Sequence, residues 1–236
     1  MIFQINTKPL LHMEERTLRK IYVLSMICFL FLSGCNDVKD VKEAIKQEFT
    51  LQSAVDQIGV IVDKRNALES KIEKSPQIKA YEESTKTLDK SLEEGNFDKK
   101  LFDKVLEDND KTRKEYTLFY KELQAIESEI KQTKSKLTNK LSKEDDTTVQ
   151  QILDQFAQLV AVEIEYYKTT AEYYKELDQY YKDMKADQEP NEEKTNQLEK
   201  KLSEQEEKLD QYVDTFSQKW NKLHKDTRGE NLEDAK

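Results

Sequence analysis

Glycine, proline and cysteine are scarce in this sequence: four, three and two in 236 residues. So few turn formers argue against a β-sandwich or barrel, whose many short strands are separated by turn residues. Two cysteines cannot build a disulfide scaffold. The one long apolar run, Ile21 to Leu32, has 12 residues. A spanning helix needs about 20, so a polytopic membrane protein is disfavoured as well. There are two histidines, His12 and His224. No phosphate-cradling glycine loop, nucleophile elbow or zinc motif occurs. No catalytic residue, cofactor or metal is expected on these grounds.

What is present begins at the N-terminus. Lys8, Arg16, Arg19 and Lys20, against Glu14 and Glu15, precede the apolar run, and small Ser33 and Gly34 follow it. A basic flank, a short apolar core and small residues describe a signal peptide over 1–34. Met13 is an alternative start that would shorten it. Leu32-Ser33-Gly34-Cys35 resembles the lipobox of bacterial lipoproteins. The resemblance implies cleavage before Cys35 and a thioether-linked diacylglycerol on its sulfur. A thiol is a good nucleophile for lipid transfer, and two acyl chains anchor stably where one is marginal. The mature chain would be residues 35–236, on the extracytoplasmic face of the membrane and held to the bilayer through diacylglyceryl-Cys35. Removing four basic and two acidic residues with the leader takes the net charge from −9 to −11. That sign argues against a nucleic-acid partner.

The mature segment reads as all-α, an elongated antiparallel three- or four-helix bundle with coiled-coil-like packing. Five helical segments are predicted. The first runs from Val38 to Lys74, with Ile58-Gly59-Val60-Ile61-Val62 as its β-branched weak point. Ser75-Pro76 reads as a cap with proline at the first helical position, opening a second helix over 77–93 that Gly95-Asn96 ends. The third spans 98–142, with a polar gap over 108–114 that reads as a solvated stretch near a bundle end. A loop over 143–146 follows, and Thr147 with Gln150 forms a capping box for the fourth helix, to Ala186. Its seam, Ile152, Phe156, Leu159, Glu163, Tyr166, Thr170, Tyr173, Leu177, Tyr180 and Met184, alternates steps of three and four. Glu163 reads as a register marker or a bundle-end residue. Pro190 breaks this helix, and Asn191 opens a fifth that carries Leu198, Leu202, Leu209, Tyr212, Phe216 and Leu223. The tail after 226 is expected to fray. Glu82–Lys86, Glu107–Lys111, Asp110–Lys114, Glu127–Lys131 and Glu204–Lys208 have the favourable i, i+4 order of a solvated helix surface.

Six of the 11 tyrosines form a repeat: Tyr166-Tyr167, Tyr173-Tyr174 and Tyr180-Tyr181, each pair flanked by Lys, recur every seven residues. A seven-residue step returns to nearly the same helix face. The pairs therefore make two adjacent stripes, which read first as core and core edge. The alternative is an exposed ladder able to stack on sugar rings or anchor a partner, with Tyr167, Tyr174 and Tyr181 as the candidate ligand-binding stripe. Trp220, Phe216 and Tyr212 read as a hydrophobic plug at one bundle end, and Asp145 with Asp146 as an unspecific carboxylate pair.

The lipobox, the Glu-Tyr-Tyr repeats and Tyr212-Val-Asp-Thr-Phe-Ser-Gln-Lys-Trp-Asn221 together resemble the YkyA-type cell-wall-binding lipoproteins of Gram-positive bacteria. Small staphylococcal lipoproteins with Tyr-Tyr motifs are the alternative family. The resemblance implies a helical-bundle ectodomain at the outer membrane face and carries over no binding residues. The expected function is a non-enzymatic envelope lipoprotein, a helical-rod binding or spacer module with peptidoglycan as its leading ligand. The alternative is a protein-interaction module, pairing with itself or with an envelope protein through its heptad faces. A wall-modifying enzyme would need a carboxylate pair in a cleft, and a rod has few clefts.

Overall fold

The computed structural model describes residues 50–228. They form five helices in an up-and-down bundle: α1 (Leu51–Glu73), α2 (Pro76–Glu93), α3 (Lys99–Leu137), α4 (Lys143–Lys185) and α5 (Glu193–Arg228). No strand occurs among the described residues. The 43 residues of α4 make a helix about 65 Å long, so the molecule is a rod. α1 and α2 act as one broken helix. Lys64 meets Glu129 and Lys71 meets Glu122, which runs α1 antiparallel to α3. Beyond the break, Ser75 Oγ donates to Glu115 at 2.6 Å and Thr112 Oγ1 to the Gln77 carbonyl at 3.1 Å, so α2 keeps the same direction. α4 runs antiparallel to both α3 and α5. Lys134 pairs with Asp154 near one end of the α3–α4 hairpin and Lys185 with Asp103 near the other.

The helix ends follow local chemistry. Thr50, Ser75, Asp98 and Ser142 each accept a backbone N–H of the first turn, and Pro76 sits where its missing N–H costs nothing. Gly95, at φ +74°, closes α2. Three boundaries differ from expectation. α3 stops at Leu137 because Asn139 takes φ +59° and turns the chain. The expected loop 143–146 is instead the first turn of α4. Ser142 caps it, and Glu144, Asp145 and Asp146 face the positive end of the helix dipole. At the same end of the rod, α5 continues to Arg228, two residues past the expected fraying point. Gly59 lies within α1 and the helix runs through it. The expected residues 38–49 of the first helix, and those from 229 on, lie outside the described residues.

The core divides along the rod. One half is four-helical, built from α1, the second half of α3, the first half of α4 and the second half of α5. Its interior is aliphatic and aromatic: Ile58, Ile61, Ile130, Leu153, Phe156, Phe216 and Trp220 are fully buried. Phe156, Phe216 and Trp220 stack in series, so Trp220 belongs to this core. The other half has a smaller cluster, Tyr81, Leu88, Phe102, Val105 and Leu177, ringed by Tyr173, Tyr174, Tyr181 and Met184. Near the joint, the expected solvated gap of α3 is a buried polar layer. Asp108, Asn109 and Thr112 are at most 2% exposed. Asn109 Nδ2 donates to the Tyr174 carbonyl at 2.8 Å, and Thr112 to Gln77 as above. These polar side chains tie α3 to the backbones of α4 and α2, which is why a break in apolar pattern coincides with burial.

On the surface, Glu107–Lys111, Asp110–Lys114 and Glu127–Lys131 pair as expected. Glu204 instead pairs with Lys200 at 3.9 Å, and Lys208 lies over the Tyr212 ring.

Candidate functional site

Midway along the rod, α1 and α4 bring three charged side chains into the core. Arg65, Glu69 and Glu163 are 2%, 6% and 3% exposed. Arg65 Nε donates to Glu163 Oε1 at 2.8 Å, and Nη2 reaches the same oxygen. Nη1 donates to Glu69 Oε2, and Nη2 to Glu69 Oε1 at 3.2 Å. A planar guanidinium can serve two carboxylates at once. The helix positions follow from spacing: Arg65 and Glu69 are one turn apart on the α1 face that also buries Ile58, Ile61, Val62 and Ile72.

The charges do not balance, since one guanidinium faces two carboxylates. Glu163 Oε2 is buried with no hydrogen-bond partner. Burial pushes the Glu69 carboxyl up to about 7, against the pull of Arg65 and helped by repulsion from Glu163 and Glu73. Burial would lower the Arg65 value, but Glu163 and Glu69 outweigh it and hold the guanidinium charged. The Tyr167 hydroxyl is pushed well above its ordinary value, by burial first and then by Glu163 and Glu69.

Arg65 and Glu69 line a cleft of about 280 Å³ between α1–α2 and α5. Tyr116, Tyr166 and Tyr167 furnish aromatic surface, and Glu73, Glu82, Glu206 and Asp210 stand around it. Tyr116 and Tyr167 stack at 6.0 Å, and Tyr166 meets Tyr167 edge-on at 5.1 Å. Among the described residues Arg65 is the only cationic one lining the cleft. A second recess, of about 310 Å³, lies near the same α1–α2 break against α3, where Lys71 and Glu122 already pair.

Tyr167, Tyr174 and Tyr181 do not form an open platform. Tyr167 is 8% exposed and packs on Phe119 at 4.5 Å. Tyr174 is half-buried between Tyr81 and Tyr116, and the Tyr181 hydroxyl lies 3.3 Å from that of Tyr81. The other stripe is half-buried as well, with Tyr173 donating to Glu199 of α5 at 2.6 Å. The reason is the place of α4, flanked by α3 and the α1–α2 segment on one side and by α5 on the other. Both stripes therefore have a neighbour to cover them.

Leu32, Ser33, Gly34 and Cys35 lie outside the described residues. Asp145 and Asp146 serve the α3–α4 turn, bonding Ser142 and the Asn139 N–H. His224 is buried beside Trp220. Among the described residues no group of three or more His, Cys, Asp or Glu could hold a metal ion. Glu163 is buried and paired, which fits a register marker and not a bundle-end residue. Arg65 and Glu69 escaped the sequence reading. Their signal was positional: they continue the buried face of α1 between Val62 and Ile72, where apolar residues belong. Comparison with protein-family models, with curated proteins and with solved structures finds no match to this chain.

Proposed function

We propose that this chain is a non-enzymatic lipoprotein of the cell envelope, anchored through Cys35 and carrying a helical rod as its binding or spacer module. The observation that carries the proposal is the pairing of two features. Leu32-Ser33-Gly34-Cys35 follows a basic flank and an apolar run. Among the described residues no helix is long and apolar enough to cross a membrane. A lipid on Cys35 therefore supplies an attachment that the rod's helices do not. The test is acyl labelling of cells producing the full chain. Lipid label and a processed product are expected, and Cys35→Ala loses both. Equal labelling of that variant would overturn the anchor.

Peptidoglycan remains the ligand class proposed for the rod, with aromatic stacking on Tyr167, Tyr174 and Tyr181 withdrawn as its basis because those rings are occupied by protein. Co-sedimentation with purified sacculi, saturable and resistant to salt, is the expected result; no sedimentation would remove the wall from the proposal. The second reading is a protein-interaction module. The first half of α5 favours it: Leu198, Leu202 and Leu209 are only half-buried there. A partner helix would cover them. Analytical ultracentrifugation showing a concentration-independent monomer would count against self-pairing.

A further inference from the structure

We propose that Arg65, Glu69 and Glu163 form a proton-operated latch: one proton held between the two carboxylates keeps the last turns of α1 seated against α4, and its loss releases them. The latch lies within the bundle and is independent of acylation at Cys35.

Charge is the first reason. The three side chains, none more than 6% exposed, bring together one guanidinium and two carboxyl groups. With both carboxyls ionised, the cluster holds an excess negative charge sealed from water. Arg65 directs its donors to Glu163 Oε1, to both Glu69 oxygens and to Asn66 Oδ1, and Glu163 Oε2 is left buried with no hydrogen-bond partner. A buried anion in excess is costly unless a cation or a proton meets it. The other groups facing Glu69 are Glu73 on its own helix, Glu82 on α2, Tyr116 on α3, Tyr166 and Tyr167 on α4, and Glu206 and Asp210 on α5. Each of them is a carboxyl or a phenol. A proton is therefore the charge that balances the cluster.

Position is the second. Glu69 lines the cleft between α1–α2 and α5, and Glu163 does not. Glu69 is thus the member that exchanges a proton with solvent. Burial raises its carboxyl to about 7, against the attraction of Arg65 and with repulsion from Glu163 and Glu73. The latch is closed below that value. As pH rises through it, the bare carboxylate is drawn to water, and the cleft is where water stands.

The break in the helix is the third. Glu69 is one turn from the end of α1 at Glu73, and Pro76 has no N–H to carry the helical ladder across the break. Beyond it α2 is held separately, by Ser75 on Glu115 and by Thr112 on the Gln77 carbonyl. Arg65 and Glu163 tie α1 across to α4. A short joint between two separately held helices absorbs a change on one side. Loss of the proton therefore loosens residues 66–73 and widens the cleft, while α2 stays on α3.

Two measurements on the full chain in detergent micelles test the latch. Carbon-13 NMR follows the glutamate carboxyls through a pH titration. Amide hydrogen exchange, corrected for the intrinsic rate, is read at pH 5.5 and 8.5. One glutamate is expected to titrate near neutrality. Glu69→Gln and Glu163→Gln should each abolish that signal, because each leaves one carboxylate for one guanidinium. Protection of residues 66–73 should fall roughly tenfold across this range in the wild type and less than twofold in Glu69→Gln. Residues 100–107, in the other half of the rod, should stay within twofold in both. An exposed control, Glu189→Gln, should behave as the wild type. The wild-type readings stand even where a variant folds poorly. No glutamate titrating above pH 6, a neutral signal that survives Glu163→Gln, an equal loss of protection in Glu69→Gln, or a loss spread evenly along the rod would overturn the latch.

Discussion

The two halves of the rod solve the same packing problem with different side chains. In the four-helix half, α5 buries Val213, Phe216, Trp220 and Leu223, packed against both α4 and α1. In the other half α5 rests on α4 only, and between Glu193 and Asp210 just Thr195 is buried. Interior positions at four-way contact are dry and take aliphatic residues and tryptophan. The thinner half keeps a small dry cluster of Leu88, Phe102 and Val105, but the positions around it are partly wet, and there tyrosine is the fitting residue: the ring fills the gap and the hydroxyl reaches the rim. The tyrosine repeat of α4 is thus a response to incomplete coverage. Arg65, Glu69 and Glu163 stand where one regime passes into the other.

The sharpest test of this contrast is a matched truncation. Trp220→Ala should cost about 3–5 kcal/mol, whereas Leu202→Ala on the same helix, half-buried, should cost only about 1 kcal/mol. Urea melts of both variants read the difference, and equal losses would mean that the halves are equally packed. At the joint, Arg65→Met should cost a comparable 3–5 kcal/mol, because it leaves two carboxylates buried without a cation. The pH dependence of that joint has a definite sign. Folding raises the Glu69 value from 4.5 to about 7, so the folded state binds the extra proton between those values. The contribution favours folding below about pH 4.5 and is lost as pH rises through about 7. Its ceiling is about 3 kcal/mol. The stability difference between the wild type and Glu69→Gln, followed by denaturation from pH 5 to 8, should therefore move against the wild type as pH rises.

Smaller effects separate the halves further. Tyr81→Phe removes one member of a hydroxyl pair in the thinner half and should cost about 1 kcal/mol. Gly59→Ala in the four-helix half should gain about 0.5–1 kcal/mol, since an α-helix prefers alanine. A methyl there would meet the Trp220 ring at 3.8 and 4.0 Å, which is ordinary contact. A loss in thermal midpoint instead would show that the Trp220 packing has no slack.

Much of the fold was readable from residue spacing. The break at Ser75-Pro76, the closure at Gly95 and the stop near Pro190 are local signals, and the helices obey them. Asn139 was harder: asparagine only permits a positive φ, and whether the chain uses it depends on the hairpin being closed. The polar stretch 108–114 misled for a related reason. Composition reports polarity, but burial depends on whether neighbouring backbones offer partners, and the carbonyls of Tyr174 and Gln77 do. The cleft was not legible at all. Its lining comes from all five helices; Arg65 and Glu69 interrupt an apolar face and Tyr166-Tyr167 belong to the repeat, but no single segment shows that they meet.

Local chemistry thus determined that this chain is helical, where most of its helices begin and end, and that its helices are amphipathic. These depend on propensity, capping and periodicity, all of which act within a few residues. Tertiary structure decided which tyrosine stripe meets which neighbour, which polar residues are buried, and where two carboxylates must share one arginine. Those outcomes depend on how many helices surround a given level of the rod, a quantity that no single segment contains.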